Sequence, residues 1–205
     1  MKLPKHTVNA QAVVDRLSYF GMKPEILARI GAFAVAWGLF ETTLERAVWA
    51  LKNEEIKGVR PSTDKTQVSD WIATLEHGSS TLTENANATL QVAAKGAVDL
   101  MYYRHSLMHG TLVAFPGSSF FIRNPRWHGE IRKRESGDAH IDDNLLDLAI
   151  DSAWTLYQIA FCTQKAMASN EHARELEELL QEAQRIRSYA NELRNLSAMV
   201  NHEKY

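Results

Sequence analysis

The sequence predicts a mainly α-helical, up-and-down bundle that carries a small β-hairpin and an additional C-terminal helix. Apolar residues recur at alternating intervals of three and four residues over several long segments, which is the spacing of helices that pack in a bundle. Glycine and proline separate these segments. One short segment, residues 111–122, instead resembles two strands joined by a turn.

The composition excludes several broad classes of protein. With 45% hydrophobic and 23% charged residues, the 205-residue chain is neither disordered nor fibrous, and its length suits one domain. The formal net charge of −2 argues against nucleic-acid binding through overall charge, but leaves room for a local basic patch. The single cysteine, Cys162, cannot form an internal disulfide and lies in an apolar stretch, so we expect a buried, unreactive thiol.

The sequence contains no segment that we interpret as a membrane anchor. The first ten residues lack the apolar core of a signal peptide. The longest charge-free apolar stretch, residues 30–40, is shorter than the about 20 residues that a membrane-spanning helix needs. We therefore expect a cytoplasmic protein with no membrane partner.

Four helices are predicted in the first 110 residues. A short helix over residues 8–20 precedes a long helix over residues 24–52, and a second short helix covers residues 67–76. The segment 81–84, Thr-Leu-Thr-Glu, has the spacing of a capping box and opens a long helix that ends with Gly110 as its C-terminal cap. The apolar stripe of the first long helix comprises Ile30, Phe33, Trp37, Phe40, Leu44, Ala47 and Leu51.

The next segment predicts the hairpin and a basic patch. Residues 111–115 and 120–122 form two strands, and the polar stretch 123–140 extends the hairpin. This stretch could hold an RNA backbone by charge, with Trp127 available to stack on a base, or it could be an ordinary solvated loop. The residues of the patch are Arg123, Arg126, Arg132, Lys133 and Arg134.

Two more helices complete the prediction. Asp142 or Asp143 caps a helix that runs to about residue 168. A last helix over residues 171–200 has one apolar face and otherwise mixed charge, which suits docking on the bundle or on a partner chain.

The residues best suited to chemistry lie at the end of the second long helix. Arg104 is a permanent cation that can hold a phosphate at two points. His109 belongs to the residue type that acts as a general acid or base near neutral pH. Five residues advance a helix by about 7.5 Å and rotate it by about 140°, so the two side chains do not project side by side. They converge only if the Arg104 side chain bends towards the helix end, or if two copies of the chain share the site.

A long helix that ends in Arg104-His105-Ser106-Leu107-Met108-His109-Gly110 resembles the HEPN superfamily of helical-bundle proteins. Many members are metal-independent ribonucleases whose signature is an arginine followed four to six residues later by a histidine. The stretch at residues 37–41 resembles the partner helix of that bundle. The resemblance implies one HEPN-like domain over residues 1–205 with its core at 24–168, to which the hairpin region 111–141 and the C-terminal helix 171–200 are additions.

The resemblance also implies a reaction and partners. In a homodimer, the paired sites would cleave an RNA substrate, with Arg104 holding the phosphate and stabilising the charge that develops on it. His109 would activate the ribose 2′-hydroxyl or protonate the leaving oxygen, and His105 would orient or assist. Since the 2′-hydroxyl is the nucleophile, neither a metal nor another cofactor is required. Such a protein would serve as a toxin or defence effector, with an antitoxin or regulatory protein as a further partner.

Other interpretations of the same residues stay open. The segments 123–128 and 134–140 also have the Arg–His spacing, but lie in polar stretches without a helical pattern. A non-catalytic scaffold that binds RNA, a nucleotide or a protein could use the same bundle. His105 and His109, four residues apart, could bind a metal, although no third ligand is evident. His109 could also be no more than a cap residue.

Glu41 is the fourth candidate for the catalytic site. It follows Leu27 and Ala34 at seven-residue intervals, which places it at the edge of the buried face of its helix. A carboxylate there needs a partner, and Arg104 or His109 on the neighbouring helix could supply one. Alternatively, Glu41 is a boundary residue whose carboxylate reaches the solvent.

Overall fold

The structure, a computed structural model, describes residues 4–56, 62–115, 118–123 and 137–202. These residues form seven α-helices and one three-stranded antiparallel sheet, which confirms a mainly helical fold with a small β element. In chain order the elements are α1 (Lys5–Tyr19), α2 (Pro24–Leu51), α3 (Val68–His77), α4 (Glu84–His109), β1 (Thr111–Phe115), β2 (Ser118–Ile122), β3 (Ala139–Ile141), α5 (Asp143–Ala166), α6 (Asn170–Glu178) and α7 (Leu180–His202).

The core lies between two pairs of helices, because α2 packs along α5 and α4 packs along α7. The predicted apolar stripe of α2 is confirmed: Phe33, Trp37 and Phe40 are at most 2% exposed. The ring of Phe33 lies 6.1 Å from that of Tyr103 on α4, so this contact joins the two pairs. Apolar residues of α4, α5 and α7 are likewise buried, among them Leu90, Leu156 and Ile186.

One described helix, α2, is long and apolar enough to cross a membrane when judged by length and composition alone. The core helix of a folded bundle passes the same test. Since Phe33, Phe40 and Leu44 are fully buried against the other helices, α2 has the role of a core helix in this fold. On the opposite side of α2, Val35 and Leu39 are exposed.

The start of α4 corrects one prediction. The helix is capped by Thr83, whose hydroxyl oxygen accepts a hydrogen bond from the backbone N–H of Ala86, so the predicted capping box at residues 81–84 is wrong. The Thr81 hydroxyl pairs with Ser79 instead, at 2.9 Å, and is therefore not at the helix end. The predicted cap of α5 is confirmed, because the Asp142 carboxylate accepts from the backbone N–H of Leu145 at 2.8 Å.

The C-terminal segment was predicted as one helix over residues 171–200 but forms two, α6 and α7, which meet at Leu179. At this residue the backbone N–H donates to Leu176, three residues back, so the regular α-helical ladder is interrupted. After the interruption α7 packs along both α4 and α5, whereas α6 packs mainly on α5.

The sheet confirms the hairpin and adds a strand. β1 and β2 pair as predicted, with Thr111 opposite Ile122, although β2 begins at Ser118 rather than at residue 120. Residues 116–117, which connect them, lie outside the described residues. The sequence predicted that the stretch 123–140 extends the hairpin but did not locate a third strand in it. That strand, β3, pairs with β2 so that Ala139 lies opposite Phe121. The sheet is tied to α4 by the hydroxyl of Tyr103, which donates to the carbonyl oxygen of His140 at 2.8 Å.

We expect Tyr103→Phe to lower the free energy of unfolding by about 1–3 kcal/mol, because it removes the donor for a carbonyl at a buried contact. Tyr103 is 2% exposed, and burial raises the pKa of its hydroxyl, so the hydroxyl stays a donor at neutral pH. The neighbouring Tyr102 is 41% exposed and its hydroxyl forms no hydrogen bond with a described residue, so Tyr102→Phe should change stability by less than about 0.5 kcal/mol. Urea unfolding of both variants checks the difference; equal losses would contradict it.

Candidate functional site at the end of α4

The C-terminal end of α4 is held against the sheet by hydrogen bonds to backbone carbonyls. The last carbonyls of any helix lack partners within the helix. Here Nη1 of Arg123, just after β2, donates to the carbonyl oxygen of His105 at 2.6 Å. In the other direction, the hydroxyl of Ser106, which is 1% exposed, donates to the carbonyl oxygen of Gly137 at 2.6 Å. The last turn of α4 is therefore fixed from two sides.

Gly110 ends this helix, but for a reason other than the one expected. Its φ is −79°, so the backbone is extended rather than left-handed, and its N–H donates to the carbonyl oxygen of Ser106 at 2.8 Å. A Cβ at this position would lie 2.5 Å from that oxygen and 2.8 Å from Cβ of Phe121. Glycine is thus required by the close approach of β2 rather than by its conformational freedom.

The predicted site residues are brought to one end of one helix. The rings of His105 and His109 have their centres 5.9 Å apart and are tilted by 35°. His109 is exposed, and Arg104 and His105 are half-buried. Arg104 forms no hydrogen bond or ion pair with any residue that the structure describes, so its guanidinium is available to an anionic ligand.

His105 lies between the other groups and is affected by each of them. Burial lowers its pKa most, and the positive charge of Arg104 lowers it further. Smaller contributions in the same direction come from Arg123 and His109. These electrostatic effects place all four side chains around the same end of α4. A histidine held neutral in this way can accept or donate a hydrogen bond without adding charge.

Glu41 does not pair with Arg104 or His109 in the described part of the chain. Its Oε1 accepts a hydrogen bond from Nε1 of Trp37, one turn earlier on α2, at 2.5 Å. The Glu41 carboxylate therefore has its hydrogen-bond partner within α2. Glu41 is half-buried, which agrees with its interpretation as a residue at the boundary of the buried face.

The predicted RNA-binding patch is described only in part. Arg123 uses its guanidinium on the end of α4, and its backbone N–H donates to Oδ1 of Asp138 at 3.0 Å. It therefore supports the helix end, a role that its place in a basic stretch did not predict. The other members of the patch lie outside the described residues, and so does Trp127: they are Arg126, Arg132, Lys133 and Arg134.

Three residues that support the site were not singled out from the sequence. Tyr103 and Ser106 belong to the same segment as the predicted site, and the one available signal was their position on the buried side of α4. Asp138 is fully buried and directly precedes β3. A polar side chain at the edge of a strand is common in loops, so its partner could not be predicted from spacing.

The structure also bears on a metal site at His105 and His109 and on the thiol of Cys162. Within residues 4–56, 62–115, 118–123 and 137–202, no three His, Cys, Asp or Glu side chains are grouped as a metal site would require, so His105 and His109 lack a third ligand there. Cys162 is half-buried rather than buried, and its burial, together with the negative charge of Glu175, raises the pKa of its thiol. A raised pKa disfavours the nucleophilic thiolate.

No family model, curated protein or solved structure matches this chain. The resemblance to the HEPN superfamily therefore rests on the sequence pattern alone and stays a prediction.

We expect Arg104→Gln to raise the pKa of His105, because the substitution removes a positive charge that disfavours the imidazolium. The pKa should stay below the ordinary value of 6.5, since burial is the larger cause. NMR titration of the His105 ring measures the shift. Arg46→Gln, at an exposed arginine of α2, should leave the pKa unchanged. An unaltered His105 titration in Arg104→Gln would show that the guanidinium lies elsewhere.

The same lowered pKa gives stability a pH dependence. His105 is neutral in the folded protein at pH values where the unfolded chain already binds a proton, so its contribution is complete above pH 6.5 and is lost as the pH falls through the folded value. We expect this loss to be smaller in Arg104→Gln than in the wild type. Urea unfolding at a series of pH values below 6.5 measures it, with Arg46→Gln as the control.

Proposed function

We propose that this protein is a metal-independent endoribonuclease of the HEPN type, with Arg104 and His109 as its catalytic pair. One observation carries the proposal: a guanidinium with no partner among the described residues and an exposed imidazole flank His105 at one fixed helix end. A half-buried cation without a counterion is costly unless a ligand supplies the negative charge. A phosphodiester is a ligand of that charge and shape.

The reaction needs only groups of the RNA and of this chain. The ribose 2′-oxygen attacks the adjacent phosphorus, the bond to the 5′-oxygen breaks, and the products are a 2′,3′-cyclic phosphate and a 5′-hydroxyl. His109 takes the proton from the 2′-hydroxyl or gives one to the leaving oxygen. Arg104 binds the non-bridging oxygens and stabilises their developing charge. His105, held neutral, positions the reacting groups by hydrogen bonding.

The proposal includes a homodimer, because Arg104 and His109 of one chain are separated by about 140° of helix rotation. With two copies, one His109 can act as the base while the other acts as the acid. The proposed setting is a cytoplasmic toxin or defence effector, restrained by an antitoxin or regulatory protein.

A second function, non-catalytic binding of a phosphate-bearing ligand, is favoured by a different observation. A catalytic histidine is usually oriented by a third group, yet the ring of His109 lies beside that of His105 and forms no hydrogen bond or ion pair with a described residue. In addition, a polar groove of about 640 Å³ lies between α4 and α7. Its lining includes the cations Lys95, Arg187 and Arg194 and the carboxylates Glu76 and Asp99; because Asp99 pairs with Arg194, the groove has a small surplus of positive charge. A binding protein could use this groove without any cleavage.

We expect the wild type to cleave single-stranded RNA in the presence of EDTA and to leave 2′,3′-cyclic phosphate ends. Arg104→Ala and His109→Ala should each reduce the cleavage rate on the order of 10²- to 10⁴-fold, the usual contribution of such groups. Gel assays with end-labelled RNA measure the rate, and circular dichroism checks the fold.

His77→Ala is the matched control for His109→Ala. His77 also ends a helix directly before a glycine, Gly78, but lies on α3. It should retain the wild-type rate. RNA binding without cleavage that survives His109→Ala would favour the scaffold function, and cleavage that persists in both Arg104→Ala and His109→Ala would refute the proposed site.

A further inference from the structure

The first helix, α1, has no buried residue. Several apolar side chains nevertheless share one face: Val13 is 59% exposed, Val14 is 40% exposed, and Leu17 and Phe20, the residue that ends the helix, follow at helical spacing. An isolated helix of 15 residues is marginally stable in water, because helices gain most of their stability by packing an apolar face. The apolar face of α1 therefore needs a cover.

A second uncovered apolar surface lies on α2. We call it the outer face; its exposed members include Val35, 65% exposed, and Leu39, 42% exposed. No charged residue occurs between Arg29 and Glu41. A helix that is apolar all round is normally buried all round, but α2 is buried on one side only. The remaining members of the outer face are small: Ala28, Gly31, Ala32 and Gly38.

The small residues leave room for another helix. A Cβ at Gly31 or Gly38 would meet no atom within 4 Å, so the surface over them is open. Small residues on one helix allow a second helix to approach closely. The outer face extends over residues 28–39, or about 17 Å, and α1 is about 22 Å long, so the two surfaces match in length.

Within one chain, α1 does not cover this face. The connection between α1 and α2 is fixed, because Met22 is 2% exposed and the carbonyl oxygen of Phe20 accepts a hydrogen bond from the Ser119 hydroxyl at 3.3 Å. In the resulting arrangement every side chain of α1 stays accessible.

We propose that two copies of this chain exchange their first helices, so that α1 of each copy lies on the outer face of α2 of the other. The exchange closes under two-fold symmetry and leaves neither apolar surface exposed. Two reciprocal contacts double the area that one contact buries, which brings the interface towards the about 1,000 Å² typical of specific association.

A membrane is the less suitable cover for α1. Amphipathic helices that bind membrane surfaces carry a polar face rich in lysine and arginine. Within α1 the only charged residues besides His6 are Lys5, Asp15 and Arg16, which give a nearly balanced charge. The exchange does not depend on RNA cleavage: a dimer that does not cleave RNA would refute the proposed function alone, and an active dimer held by other contacts would refute the exchange alone.

Light scattering coupled to size-exclusion chromatography tests the exchange on the full-length chain. The wild type should have twice the mass of one chain. Val13→Glu and Val35→Glu should each raise the dimer dissociation constant on the order of 100-fold or more, because each places a charge in an apolar interface. Both side chains are exposed in the single chain, so circular dichroism should be unchanged. Val8→Glu is the control: Val8 is 53% exposed but lies on the other side of α1, so this variant should stay dimeric.

Mixing the two variants separates exchange from other pairings. Each variant alone has both contacts damaged, whereas a mixed dimer has one intact contact, between α1 of the Val35→Glu chain and α2 of the Val13→Glu chain. We expect dimers to reappear in the mixture. A monomeric wild type, a Val35→Glu variant that stays dimeric, dissociation by Val8→Glu, or a mixture without dimers would overturn the proposal. So would binding of a monomeric wild type to phosphatidylglycerol vesicles that Val13→Glu abolishes.

Discussion

The arrangement at the end of α4 depends on how the sheet satisfies the backbone of the last helical turn. A helix ends with carbonyl oxygens that have no partner within the helix, and burying them unpaired would cost more than the packing gains. Arg123 supplies a donor for His105, and Gly110 supplies one for Ser106. These bonds hold β2 so close to the helix end that only glycine fits at position 110. The direction in which the two histidines project follows from this packing.

Electrostatics at the same helix end gives the candidate site its chemical character. Four groups that are cationic or able to become so lie around this helix end, and burial together with the neighbouring charges lowers the pKa of His105. Arg104 keeps its positive charge, because a guanidinium stays protonated at any physiological pH. The local surplus of positive charge is therefore permanent, and an anion would relieve it. This holds whether the protein cleaves its ligand or only binds it.

The sequence predicted the features that repeat along the chain and missed those set by single contacts. The buried stripe of α2 follows from a period sustained over about six turns, so Phe33, Trp37 and Phe40 were placed correctly. By contrast, the cap of α4 is a choice between two threonines two residues apart, and β3 has three residues, too few for a period. The break at Leu179 depends on how the C-terminal segment packs on α4 and α5, which no local pattern encodes.

The candidate site likewise combines a pattern that the sequence predicted with single contacts that it did not. The pattern of Arg104, His105 and His109 along α4 was visible from the sequence, since it needs only a helix. The partner of Glu41 was not, because a long carboxylate can reach several donors and Trp37 on its own helix is among them. The support from Arg123 was hidden for a similar reason: its acceptor is a backbone atom, which every residue carries.

In the contact between α4 and the sheet, the positions that offer only a backbone acceptor can vary more freely than those that supply a donor side chain. The acceptors at positions 137 and 140 are main-chain oxygens, present whatever side chain is attached, whereas the donors on Tyr103, Ser106 and Arg123 are specific functional groups. Substitutions at these two acceptor positions are therefore tolerated as long as the backbone path is kept. Selection should act on the donor side chains and on Asp138, whose buried carboxylate binds the backbone N–H of Arg123, whereas positions 137 and 140 are comparatively free to diverge.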